Sequence, residues 1–234
     1  MHLRHVIQNQ NGININKIYH ENNNTYKYSM KTINKYINER LHITSKIQYS
    51  CQPKTKNELR SIIIERIKED GQECNLNDID VSNITDMSCL FDAFDNKIFN
   101  DFNGDISQWN VSNVKNMNHM FYRCEQFNCD LSKWNVSNVE NMGNMFCKCK
   151  KFNCDLSQLY VSKVTHMEYM FYECEKFDCD LSGWDVSNVK YMQYMFKKCK
   201  SFRQNLDEWN VSNVTDMNDS FHECPTKPKW YNGI

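Results

Sequence analysis

The sequence predicts an α/β solenoid: six strand–helix repeats of about 25 residues, stacked behind an N-terminal capping helix. Three observations lead there. Val111, Val136, Val161, Val186 and Val211 fall 25 residues apart. Met117, Met142, Met167, Met192 and Met217 keep the same step, as do Phe121, Phe146, Phe171, Phe196 and Phe221 and the cysteines Cys124, Cys149, Cys174, Cys199 and Cys224. A longer first copy runs through Val81, Met87 and Phe91, with its extra residues around Asp95–Phe102.

Within a unit the apolar period changes half-way. In LSKWNVSNVENMGNMFCKCKKF (131–152), Leu131, Trp134 and Val136 end on alternate apolar positions, the spacing of a short strand with one buried face. Val139, Met142, Met145, Phe146 and Cys149 then step as one face of a short helix. Ser137-Asn138 lies between the halves as an N-cap pair. One such unit cannot bury its own apolar face, but stacked copies turn each column into a continuous interior ridge. Strands of successive units, paired at about 4.8 Å, give a parallel sheet roughly 25–30 Å long. Its inner face carries Ile106, Leu131, Leu156, Leu181 and Leu206 beside Trp109, Trp134, Trp184 and Trp209, with Leu159 in the tryptophan slot of the fourth unit.

The ends follow from the need to cover open edges. PKTKNELRSIIIERIKED (53–70) places Leu59, Ile63 and Ile67 on one helical face and stops at Gly71, so residues 53–75 read as the capping helix. Residues 76–224 read as the solenoid, and 225–234, with two prolines and Trp230-Tyr231, as a C-terminal cap. Residues 1–52 are rich in Asn and out of phase; they carry a hairpin signal at Asn11-Gly12 and a short amphipathic stretch, YKYSMKTINKYINERLHI.

The composition excludes several classes. Among 234 residues, 28 basic and 29 acidic side chains leave a formal charge of −1, with no long-range attraction to nucleic acid or an anionic membrane. No apolar stretch has the length of a secretory signal or a membrane span, so the sequence as it stands reads as cytoplasmic, with reduced thiols.

The pattern W-N-V-S-N-V-x-x-M-x-x-M-F-x-x-C-x-x-F-N-x-D-L-S resembles the repeat of BspA-like leucine-rich repeat surface proteins. PKTKNELRSIIIERIKEDG followed by LNDIDVSNITDMSCLF is similar to that family's entry segment. The resemblance covers about residues 53–234. It implies a leucine-rich-repeat-like solenoid, a cell-surface location, and adhesion or binding of host and matrix proteins.

The chemistry-bearing columns read mostly as structure. Cys124–Cys129, Cys149–Cys154 and Cys174–Cys179 are spaced C-x4-C. A buried structural thiol is favoured over a disulfide ladder, and a metal site is least favoured because no His column supplies further ligands. Cys147 breaks the columns and is expected to point outward. Asp105, Asp130, Asp155 and Asp180, ending in Asn205, read as turn-bonding acceptors rather than a calcium ladder. The seven histidines are scattered, and no phosphate loop, nucleophile elbow or zinc motif occurs, so no catalytic residue, cofactor or metal ligand is assigned.

Function then falls to the surface. The outward positions Gln108 and Asn110, Lys133 and Asn135, Gln158 and Tyr160, Gly183 and Asp185, Glu208 and Asn210 vary from unit to unit. They are the candidate partner-binding residues, with Tyr160 the best anchor. Tyr169, Tyr172, Tyr191 and Tyr194 are expected to be exposed on the other side, where Lys148, Lys150, Lys197 and Lys198 form a basic stripe. The expected function is a non-catalytic interaction or adhesion module with a protein partner. The alternative is an assembly element that stacks end to end.

Overall fold

In a computed structural model, residues 48–233 are described. The hairpin signal at Asn11-Gly12 and the amphipathic stretch at 26–43 lie outside them.

The helix read in 53–70 is present as α1, Lys56–Asp70. Thr55 caps it by accepting the Glu58 N–H of the first turn, and the Glu58 carboxylate reaches back to accept the Lys54 N–H just before the cap. Gly71 ends it at φ 86°, a left-handed conformation that suits a residue without Cβ, and its N–H returns to the Ile67 carbonyl. Leu59, Ile63 and Ile67 are buried against the first coil.

The repeats themselves contain neither the strand nor the helix expected of them. Among the described residues the regular elements are α1 and one 3-10 turn, Lys97–Phe99, and no strand forms. Successive coils are registered by single parallel bridges, Asp86 to Asn116, Asn116 to Asn141, Asn141 to His166, His166 to Tyr191 and Tyr191 to Asp216.

The reason lies in how the backbone bonds are divided. In the segment read as helix, Met145 N–H bonds Met142 O, Cys149 bonds Phe146 and Phe152 bonds Cys149, three-residue closures instead of the four-residue closure of an α-helix. The alternate N–H groups of Met142, Asn144, Phe146 and Lys148 leave the coil and bond His166, Glu168, Met170 and Tyr172 of the next one at 2.7–3.0 Å. From the second coil on, two positions per coil adopt positive φ: Asn144 (59°) and Lys148 (64°), repeated at His119 and Arg123, Tyr169 and Glu173, Tyr194 and Lys198, and Asp219 and Glu223; in the first coil Cys89 alone does so. Turns of period three place apolar side chains inward at nearly the spacing of a helical face. That is why the pattern reads as helix.

Alternate peptide groups in this segment accept from the coil before and donate to the coil after. One line runs from Phe91 N–H to Met120 O, Phe121 to Met145, Phe146 to Met170, Phe171 to Met195 and Phe196 to Ser220. Parallel lines start at Met87, Cys89 and Ala93. Together they form a hydrogen-bonded spine.

The segment read as strand has no such ladder, because Trp134 N–H closes a turn on Leu131 O. Its coils are joined by side chains. The indole N–H groups of Trp109, Trp134, Trp184, Trp209 and Trp230 donate to Leu76, Ile106, Leu156, Leu181 and Leu206 carbonyls at 2.7–3.1 Å. The Asn of the Ser-Asn pair, expected to cap a helix, donates across instead: Asn113 to Ser82 O, Asn138 to Ser112 O, Asn188 to Ser162 O and Asn213 to Ser187 O.

Between the two faces lies the core. Phe91, Phe121, Phe146, Phe171, Phe196 and Phe221 stack with ring centroids 5.1–5.8 Å apart. A second file, Phe102, Phe127, Phe152, Phe177 and Phe202, follows at 5.9–6.1 Å. Such pairs add about 0.5–1.5 kcal/mol each beyond burial. The longer first coil uses its extra residues to bury Phe99 edge-on to Phe91.

Candidate partner-binding face

All nine nominated residues, Gln108, Asn110, Lys133, Asn135, Gln158, Tyr160, Asp185, Glu208 and Asn210, are exposed on the side-chain-stitched face. The stack brings them into two files. In the first, Asn110, Asn135, Asp185 and Asn210 each accept the N–H of the serine two residues on at 3.1–3.2 Å. Those oxygens are therefore partly committed to turns. Tyr160 sits in the same file, cannot make that bond, and projects 76 % exposed. In the second file, the Gln108 and Gln158 amides rest on Ser107 and Ser157 hydroxyls, and the first of them faces Lys133 across a depression. Ser107, Gln108, Asn110, Lys133 and Asn135 line this polar depression of about 220 Å³, with Trp109 and Val111 beneath.

Beside these files the aspartate column performs the turn role read for it. Asp105, Asp130, Asp155 and Asp180 accept Ser107, Ser132, Ser157 and Ser182 N–H at 2.9–3.0 Å, and Asn205 does the same for Asp207. Backbone bonds to the charged form hold Asp130, Asp155 and Asp180 below the usual carboxylate range. A further ladder went unread in the sequence: the Asn103, Asn128 and Asn153 side chains and then Asp178 each accept the N–H 25 residues on, at 2.7–2.8 Å.

All twelve cysteines are free thiols. Cys124, Cys149, Cys174 and Cys199 donate to Phe carbonyls of the preceding coil at 2.9–3.0 Å. In the second column, Cys129, Cys154 and Cys179 sulfurs accept Ile106, Leu131 and Leu156 N–H at 3.2–3.5 Å. Burial pushes the Cys129 and Cys154 thiols up to about 11, away from the thiolate that nucleophilic or metal chemistry requires. Cys147 corrects its expectation. It stands outside the aromatic core yet is only 2 % exposed, in a column that carries Tyr122 and Tyr172 in the adjoining coils. Among the described residues no three His, Cys, Asp or Glu side chains converge as a metal site.

The spine face also differs from expectation. Tyr169, Tyr172 and Tyr194 are half-buried, with Tyr169 stacked on Tyr194 at 4.6 Å, and only Tyr191 is exposed. The basic stripe is a ladder of pairs: Lys148 and Lys198 flank Glu173 at 3.6 and 2.9 Å, Lys150 meets Glu125 at 2.9 Å, and Lys197 meets Asp219 at 2.7 Å.

Among the described residues, the most exposed aromatic outside the nominated ones is Phe94. It lies in the longer first coil, 69 % exposed, with the Arg123 guanidinium 5.0 Å over its ring. The break in the repeat at that point was the signal available.

No curated protein and no solved structure matches the chain. A family model does, in two overlapping passes over residues 63–165 and 138–230 that follow the tandem coils from α1 to Trp230. The chain therefore belongs to the family described as Mycoplasma protein of unknown function, DUF285.

Proposed function

We propose that this chain is a non-catalytic interaction or adhesion module of the BspA-like, leucine-rich-repeat type, which binds a protein partner through the side-chain-stitched face and uses no cofactor. The observation that carries this reading is the contrast on that face. The buried Leu, Trp and Val columns hardly change from coil to coil, whereas the exposed files run Gln, Lys, Gln, Gly, Glu and Asn, Asn, Tyr, Asp, Asn. A rigid interior that tolerates any outer residue is the economy of a modular binding surface. Tyr160 offers an amphipathic anchor, and Lys133 a charge at the mouth of the depression.

The test is solid-phase binding to a panel of matrix proteins. Tyr160→Ala and Lys133→Glu are expected to weaken binding by about tenfold or more, as loss of an interface anchor does. Lys150→Ala, on the spine face, should leave it unchanged. Binding that none of the three alters, or no binding at all, ends the reading.

A further inference from the structure

The spine has two unlike ends. In every coil before the last, alternate N–H groups of the spine segment donate to the following coil. In the last coil the equivalent donors are Met217, Asp219, Phe221 and Glu223. Tyr231 covers the third by packing on the Phe221 ring at 5.1 Å. The N–H groups of Met217, Asp219 and Glu223 have no acceptor among the described residues. The apolar columns open at the same place: Val211, Val214 and Met217 are half-buried, though their counterparts in the preceding coils are buried. At the other end the sense is reversed. The carbonyls of Asp86, Ser88 and Leu90 accept nothing among the described residues, and α1 lies there, with Lys56 Nζ bonded to Asp86 Oδ2 and Ser88 Oγ at 2.8 and 2.7 Å.

We propose that the donor end of the spine binds the first coil of a second copy of this chain, head to tail, with α1 of that copy displaced from its carbonyl edge. Three observations single out this occupant. On the carbonyl edge of the first coil, Asp86, Ser88 and Leu90 repeat three of the four acceptors used in every internal coil-to-coil contact, the fourth, Asp92 O, being held by the Asn96 N–H. An ordinary β-strand alternates donors and acceptors along its edge, so part of it would set N–H against N–H. Two donor ends brought together would do so throughout, which excludes tail-to-tail pairing.

Light scattering on the full chain tests this. Ile63→Glu puts a charge into the buried face of α1 and should free the carbonyl edge. Its weight-average mass is expected to rise with concentration by roughly twofold or more, while the unsubstituted chain stays near monomer mass. Adding the unsubstituted chain, whose carbonyl edge α1 still covers, should shorten the Ile63→Glu assemblies by terminating them. Met217→Pro in the same background removes a donor that bonds nothing among the described residues, and should return monomers. A near-UV tryptophan signal certifies the fold. Should Ile63→Glu lose that signal, Lys56→Glu, which only sets a carboxylate against Asp86, makes the same test. A folded variant that remains monomeric at all concentrations overturns the proposal, and so does assembly indifferent to Met217→Pro.

Discussion

The spine face and the stitched face solve the same problem with different groups. On the spine face, coils are joined through peptide groups, so the bond from Phe146 N–H to Met170 O asks nothing of either side chain. On the stitched face the joint is the side chain itself, as where the Trp134 indole reaches Ile106 O at 3.1 Å and the Asn138 amide reaches Ser112 O at 2.8 Å. The spine columns accordingly tolerate His119, Asn144, Tyr169, Tyr194 and Asp219 in one place. The stitching columns repeat Trp and Asn. A constant column therefore marks where side chains carry the stacking, and a variable column can conceal a backbone joint.

The largest effect should come from the core both faces share. Phe146→Ala removes a ring stacked on Phe121 and Phe171 and on Phe152 at 4.0 Å. It should cost about 3–5 kcal/mol in thermal or urea unfolding. Trp134→Phe isolates one stitch, leaving an aromatic in the slot but no donor for Ile106 O. The expected cost is roughly 1–2 kcal/mol. The fourth coil provides the converse. Leu159 stands where four other coils have tryptophan, and Leu131 O receives no indole. Leu159→Trp should therefore stabilise by about 0.5–1.5 kcal/mol if the slot admits the ring. Were Trp134→Phe as damaging as Phe146→Ala, the stitched face could not be treated as a set of local joints.

The same contrast explains what the sequence could and could not disclose. The Phe, Met and Val columns were legible because burial fixes side-chain identity, as were Leu59, Ile63 and Ile67 on α1. The secondary structure of the coil was not, because closures at Met145, Cys149 and Phe152 imitate a helical period while alternate N–H groups leave the coil. Nothing in the residue types announces positive φ at Tyr169 or Lys148, since glycine, its usual marker, is absent there. Exposure of the nominated files followed from alternation with Trp and Val, whereas the tyrosines and lysines opposite were misjudged because their partners lie 22 to 25 residues away in sequence. The open donors at Met217, Asp219 and Glu223 are a property of stacking order, which no single unit contains.

A smaller effect isolates the backbone of the spine. Asn144 sits at φ 59°, and its own N–H bonds Glu168 O in the next coil. Asparagine tolerates this conformation better than alanine, and glycine best of all. Asn144→Ala should lose roughly 0.5–1 kcal/mol, whereas Asn144→Gly should be neutral or slightly stabilising. On the stitched face the order should reverse. Ser137→Gly meets no left-handed requirement, gains nothing from glycine's freedom and should only destabilise. Urea midpoints for the three variants separate the two cases. A stabilising Ser137→Gly or a destabilising Asn144→Gly would mean that positive φ is not what sustains the spine.

The finest test uses two glutamates of the spine face that should respond to pH in opposite directions. For Glu173, burial raises the carboxyl, but hydrogen bonds from Lys198 and Tyr172 and the charge of Lys148 outweigh it and hold the group below its ordinary range. Its contribution is therefore complete above the ordinary glutamate value and is lost as pH falls through the lowered one. Glu168 is the reverse. Burial raises it, its Oε2 has no partner, and it lies over Gly143, where a Cβ would collide with its Oε1. Its protonated form suits the fold, so its contribution is complete at low pH and is lost as pH rises through the raised value. Solvent screening keeps each below about 1 kcal/mol. At neutral pH, Glu173→Gln should destabilise and Glu168→Gln should stabilise. In unfolding midpoints followed from acid to neutral pH, the first should flatten a rise and the second a fall. Slopes that changed in the same direction would show that the paired ladder of the spine face, and not burial beneath it, sets the charge state of both groups.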